Sequence, residues 1–124
     1  MTTKPIALII EDDPGQADIF TTALQHADYE TVTVHDGQAA LDYLEAHEPN
    51  LVIIDLNLPN VTGDKILAYI RSEVRLFDTR AILATANDRQ AEMLRNDSDL
   101  VLLKPISYTQ LKQLAERFHP NRNR

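Results

Sequence analysis

Apolar positions gather along the chain into five short runs: Ile6–Ile10, Val32–Val34, Leu51–Ile54, Ala81–Ala84 and Leu100–Leu103. Four of the five are apolar throughout, which predicts strands covered on both faces. Between the runs the spacing changes to that of helices. Ala17, Phe20, Leu24 and Ala27 form one stripe. Ala40, Leu41 and Leu44 form a second, and Ile66, Leu67, Ile70 and Val74 a third. Tyr108, Leu111, Leu114, Ala115 and Phe118 form the last. Only Ala91, Met93 and Leu94 are apolar within 88–95, so the fourth helix is expected to be short or distorted.

Polar residues mark where the helices begin. Asp13 precedes Pro14 and stands three residues before Gln16, which predicts an N-cap, a first-turn proline and a capping-box partner. Asp36 and Ser107 are the expected caps of the second and fifth helices, and Pro49 stops the second. Five repeats of strand then helix predict an α/β domain with a doubly wound parallel sheet. The domain is expected over 1–119, with a short tail at 120–124.

The 124 residues suit one such domain. No cysteine is present, which excludes disulfides and thiolate metal sites. The apolar runs reach about five residues, far short of the roughly 20 a membrane helix needs. Residues 1–5 lack the apolar stretch of a leader, so a cytoplasmic location is the expectation. A net charge of −7 disfavours a nucleic-acid surface. The histidines at 26, 35, 47 and 119 show no metal-ligand spacing and read as surface or packing residues.

The candidate chemistry lies just beyond the runs. In an open parallel sheet, ligands bind beyond the carboxyl ends of the strands. Glu11, Asp12 and Asp13 follow the first run, Asp55 the third, Thr85 the fourth and Lys104 the fifth. If those strands are neighbours, their ends converge. Two carboxylates about 4 Å apart repel by roughly 4 kcal/mol at an effective dielectric of 20. Such a cluster calls for a hard divalent cation with oxygen ligands, and Mg²⁺ suits it. Taken alone, Asp13 is a helix cap, Asp55 could cap a turn, Thr85 could be a strand-end hydroxyl, and Lys104 could be a surface residue.

Four segments together resemble the receiver domain of bacterial two-component response regulators. They are Leu8-Ile-Ile-Glu-Asp-Asp-Pro14, Leu51-Val-Ile-Ile-Asp-Leu-Asn-Leu-Pro-Asn-Val-Thr-Gly63, Ile82-Leu-Ala-Thr-Ala86 and Leu102-Leu-Lys-Pro-Ile106. The resemblance implies a five-stranded flavodoxin-like sheet with order 2-1-3-4-5. It implies Asp55 as phosphoacceptor, with Thr85 bonding the phosphoryl oxygen and Lys104 pairing with it. Glu11, Asp12, Asp55 and the backbone carbonyl of Asn57 would hold Mg²⁺, with Mn²⁺ as a substitute. Asp12 would be a direct ligand and Glu11 would act mainly through water. A cis peptide at Lys104–Pro105 would help aim the lysine. Asn57 and Asn87 stand at positions that tune dephosphorylation in the family.

The resemblance further implies a phosphohistidine donor on a sensor histidine kinase or phosphotransfer protein. Output is expected through a separate protein effector, since no effector segment follows the fifth helix. A phosphoacceptor of this kind assists its own phosphorylation and dephosphorylation without being an enzyme. Two features depart from the family. Val101 stands where an aromatic residue usually partners the hydroxyl, and Asn96-Asp97-Ser98-Asp99 replaces the usual Gly-Ala before the last strand. These departures favour an alternative, a receiver-like binding module that works without phosphate. An aspartyl phosphohydrolase ranks last, because Asn57 stands where such enzymes carry a second acid.

Overall fold

The five apolar runs become the five strands of one sheet in a computed structural model that describes residues 3–121. The elements alternate throughout: β1 (Ile6–Ile10), α1 (Pro14–His26), β2 (Glu30–Val34), α2 (Gly37–Ala46), β3 (Leu51–Asp55), α3 (Gly63–Ser72), a 3₁₀ turn (Val74–Leu76), β4 (Arg80–Thr85), α4 (Asp88–Leu94), β5 (Leu100–Leu103) and α5 (Tyr108–Phe118). Every pairing is parallel and the order is β2-β1-β3-β4-β5, as the alternation and the resemblance predict. Of the tail expected at 120–124, residues 122–124 lie outside the described residues, as do Met1 and Thr2 of the N-terminal segment.

Strand residues alternate between two cores. Ala7, Ile9, Ile53, Ile82 and Ala84 pack with Phe20, Leu24, Leu111 and Ala115, beneath α1 and α5. Leu8, Ile10, Val52, Ile54 and Leu83 pack with Leu44, Ile66, Leu67 and Ile70, beneath α2 and α3. Neither face of β3 meets solvent, which explains its unbroken apolar sequence. Each buried Leu or Ile contributes about 1.5–3 kcal/mol relative to exposure.

Three expectations are corrected. Val74 does not extend the α3 stripe: it is 91% exposed. The helix ends at Ser72, so the four-residue step from Ile70 no longer points inward, and Leu76 of the 3₁₀ turn fills the core instead. The capping box with Gln16 does not close. Asp13 does cap α1, accepting from the amides of Gly15 at 2.9 Å and Gln16 at 3.4 Å. Its own amide, however, donates to Glu11 Oε2 at 3.2 Å, a charged acceptor stronger than a neutral amide. Finally, β5 is not covered on both faces. It is an outer strand, paired among the described residues with β4 alone, and Leu103 is exposed.

The fourth helix is indeed short, at seven residues. The segment before β5 has its own anchor. Asp99 Oδ2 accepts from Arg71 Nη2 at 2.9 Å and from the Ala81 amide at 2.7 Å, while Oδ1 accepts from Arg80 Nη1 at 3.2 Å. Three histidines make packing contacts: His26 with the Tyr108 hydroxyl, His47 with the Tyr43 carbonyl and His119 with the Asp28 carbonyl. Among the described residues no helix is long and apolar enough to cross a membrane.

Candidate functional site

Strand register brings the polar residues together. Ile10 lies opposite Ile54, so the next residues on each strand, Glu11 and Asp55, emerge side by side. Asp55 pairs with Ala84, and Thr85 pairs with Leu103, so Thr85 and Lys104 follow at the same edge. The Lys104 amide donates to the Thr85 carbonyl at 2.8 Å, which extends the ladder one step and fixes where the lysine leaves the sheet. The Lys104–Pro105 peptide is cis.

Two glycines allow the loops around Asp55 to approach closely. A Cβ on Gly63 would lie 2.6 Å from the Asp55 carbonyl oxygen and 2.8 Å from Leu56 Cα. A Cβ on Gly37 would lie 1.9 Å from the Val61 carbonyl oxygen. The first turns of α3 and α2 therefore press directly on the end of β3 and the loop that follows it. Asn60, in that loop, adopts a φ of 69°, a left-handed conformation that asparagine tolerates.

Lys104 Nζ lies 3.2 Å from Glu11 Oε1 and 3.4 Å from Asp55 Oδ2. Asp55 Oδ1 accepts from the Asn57 amide at 3.0 Å. Glu11 and Asp55 are buried and Asp12 is exposed, and the three carboxylates offer oxygens within 4.8 Å of one another. One ammonium thus contacts two of three clustered acids. Burial, followed by a hydrogen bond shared with Asp55, pushes the Glu11 carboxyl up to about 7. The Asp13 amide and Lys104 act in the opposite direction. His35, read from the sequence as a surface or packing residue, reaches the Glu11 backbone carbonyl at 3.0 Å.

This donor set fits a small hard dication. All its ligand atoms are oxygens, the cluster is short of positive charge, and its partly exposed side leaves room for water ligands. Asp12, Glu11 and Asp55 lie together at the sheet edge, as the sequence leads one to expect.

Thr85 departs from the simplest expectation. It is fully buried, and its hydroxyl turns toward α4. Thr85 Oγ1 donates to Gln90 Oε1 at 3.1 Å and accepts from the Asn87 amide at 3.0 Å. Gln90 escaped sequence reading because it lies in the weakly patterned 88–95 segment. The available signal was Asn87, a residue type that caps helices and so places Gln90 in the first turn. Val101 lies opposite Leu83 and packs toward the α2/α3 core, with no polar atom to offer the hydroxyl.

Known proteins share this arrangement of elements. The structure superposes on the chemotaxis response regulator CheY4 of Vibrio cholerae with a TM-score of 0.84 at 23% identity, covering 94% of this chain and 99% of that one. It matches the receiver domain of a sensor histidine kinase from Pseudomonas aeruginosa, which has a magnesium ion coordinated in its active-site cleft. There the TM-score is 0.82 at 24% identity, covering 94% and 98%. At those identities the likeness speaks to the fold. In sequence, the chain is 32% identical over 122 residues to FilR2 of Methanothrix harundinacea, described as a probable methanogenesis regulatory protein, across 90% of this chain and 79% of that one. It is 30% identical over 108 residues to the polar-differentiation response regulator DivK of Brucella ovis, across 85% and 87%. The family model for the response regulator receiver domain matches residues 7–116, and this chain belongs to that family.

Proposed function

We propose that the chain is a phosphoacceptor switch in which Asp55 receives a phosphoryl group from a phosphohistidine. The observation that carries this reading is Lys104, whose ammonium reaches both Glu11 and Asp55 at the sheet edge. A carboxylate is a competent nucleophile for phosphoryl transfer. An oxygen of Asp55 forms the new P–O bond as the P–N bond of the donor breaks. The imidazole nitrogen leaves with the electron pair. Lys104 then balances charge on the transferred group, and the Thr85 hydroxyl donates to one of its oxygens. Water later hydrolyses the acyl phosphate and restores Asp55.

Glu11, Asp12, Asp55 and the Asn57 carbonyl would hold Mg²⁺, which supplies neutralising charge for the phosphoryl oxygens when bound. The magnesium-containing receiver domain from Pseudomonas aeruginosa supports that assignment by analogy. The partners of this reading are a histidine kinase or phosphotransfer protein as donor and a protein effector as target. The net charge of −7 argues against nucleic acid. Catalytic turnover on outside substrates is not part of the role, and Asn57 in place of a second acid argues against a phosphohydrolase.

A phosphate-independent binding module is the second reading. The apolar Val101 favours it, because it removes the aromatic partner through which a Thr85 hydroxyl usually reports. Acetyl phosphate with Mg²⁺ separates the two. The switch predicts an acid-stable, base-labile phosphoryl adduct on wild type. No adduct leaves the binding module standing, and multiple turnovers on small phosphate esters would instead indicate a phosphohydrolase.

A further inference from the structure

Thr85, Gln90 and Asn87 form a closed ring of hydrogen bonds. The Thr85 hydroxyl donates to Gln90 Oε1 at 3.1 Å, the Gln90 amide donates to Asn87 Oδ1 at 3.3 Å, and the Asn87 amide donates to Thr85 Oγ1 at 3.0 Å. The ring joins the last residue of β4 to the first turn of α4.

The chemistry of a hydroxyl makes this ring exclusive. Threonine has a single O–H proton. The Asn87 amide occupies the oxygen as a donor, so the proton serves Gln90. An ionised phosphoryl oxygen carries no proton and can only accept. Thr85 therefore cannot donate to a phosphoryl oxygen on Asp55 and go on donating to Gln90 Oε1. The two acceptors compete for one proton, and a charged oxygen outbids a neutral amide by roughly twofold in bond strength.

Few buried side chains anchor α4. It has seven residues, and Ala91 is the one buried residue within it. Leu94 packs only partly against the core and Met93 is exposed. The bond to Gln90 is thus one of two hydrogen bonds, with that of the Asn87 amide, by which Thr85 ties the N-terminal turn of this helix to the sheet.

We propose that Gln90 is the positioning residue that senses the phosphorylated state: its carbonyl oxygen holds the Thr85 hydroxyl toward α4, and loss of that bond on phosphorylation loosens the first turn of α4. This inference rests on Thr85 being the hydroxyl that serves the phosphoryl group. It routes the signal through α4 and bypasses β5, where Val101 has nothing with which to follow the hydroxyl. Gln90 touches neither the carboxylates nor Lys104 among the described hydrogen bonds, so it acts only through Thr85.

Amide hydrogen exchange across Asp88–Leu94, measured by mass spectrometry on the full chain, tests this. Wild type, Gln90→Leu and Gln90→Glu are each compared with and without acetyl phosphate and Mg²⁺. Intact mass reports the adduct in the same samples. In wild type, exchange in α4 should rise about fivefold on phosphorylation, the equivalent of one ordinary hydrogen bond. Gln90→Leu should form the adduct, exchange fast from the start, and lose the phosphorylation-dependent change. Gln90→Glu restores a stronger acceptor, so its unmodified form should be protected as in wild type and its response reduced. A purely structural Gln90 would lower the melting temperature of Gln90→Leu yet leave the response intact, which overturns the proposal. An adduct on wild type with unchanged α4 exchange also overturns it alone. Absence of any adduct on wild type overturns the phosphoacceptor reading and this inference together.

Discussion

The ammonium of Lys104 stands 3.4 Å from Oδ2 of Asp55, reaching across the end of the intervening strand β4. This pairing ties the last strand to Asp55. Lys104→Ala should keep Mg²⁺ binding and raise its affinity, since the oxygen ligands remain and a competing positive charge is gone. It should weaken the phosphorylation-dependent change in α4, because a phosphoryl group without its ammonium partner is held less well where Thr85 can reach it. Titration calorimetry with Mg²⁺ and exchange on the phosphorylated protein measure the two effects separately. A wild-type response in the variant contradicts the assigned role.

Glu11 sets a pH dependence. Its carboxyl has an ordinary value of 4.5 and rises to about 7 in the folded, metal-free chain, chiefly through burial. Between those values the folded state holds a proton that the unfolded state has lost. Its contribution to stability is therefore full below about 4.5 and falls as pH rises toward 7, by at most about 1.4 kcal/mol per pH unit. Urea midpoints of metal-free protein across that window should show the decline, and Glu11→Gln should flatten it. Mg²⁺ affinity should rise over the same window, because binding displaces the proton.

Metal binding should itself stabilise the fold. At a Mg²⁺ concentration 100 times Kd the gain is about 2.7 kcal/mol, and removal of the metal with a chelator reverses it. Asp12→Asn should lose most of this gain without unfolding, since Asp12 is exposed. Differential scanning calorimetry with and without Mg²⁺ reads the effect directly.

Gly63→Ala should be costly beyond its chemistry. The added methyl meets backbone atoms of Asp55 and Leu56. Overpacking of this kind costs about 1–3 kcal/mol. It should also slow adduct formation, because it pushes on the strand end that carries the acceptor. Thermal unfolding and the rate of phosphorylation by acetyl phosphate should both change, and a shift in stability alone would uncouple the glycine from the site.

Asp99→Ala provides the contrasting case. It strips two arginines of their partner and leaves the Ala81 amide without its side-chain acceptor. A loss of about 1–3 kcal/mol is expected. These contacts lie at the N-terminal ends of β4 and β5, opposite the carboxylate cluster, so the rate of phosphorylation should stay near that of wild type. A large drop in that rate would show coupling along the strands.

The cluster at the sheet edge was legible in the sequence for a geometric reason. Each of Glu11, Asp55, Thr85 and Lys104 sits at or just beyond the end of an apolar run, and parallel register carries those ends to one edge. The short α4 was legible from its sparse apolar positions. The features that escaped depend on termination and on side-chain reach. Val74 was misplaced because helix periodicity does not announce that α3 stops at Ser72. Gln16 lost its expected partner to Glu11, a competition decided only once the carboxylate is fixed in space. Asp99 looked like part of a loop substitution, and its service to Arg71, 28 residues away, is visible only in three dimensions. The grip of Gln90 on Thr85 is of the same kind.

The central claim is that Asp55 receives the phosphoryl group. Incubation with acetyl phosphate and Mg²⁺, reduction of the acyl phosphate with borohydride and peptide mass mapping tests it at the level of one residue. Wild type should carry a reduced side chain at Asp55, and Asp55→Asn should yield no reduced peptide. Labelling at another carboxylate, or none in wild type, would contradict it.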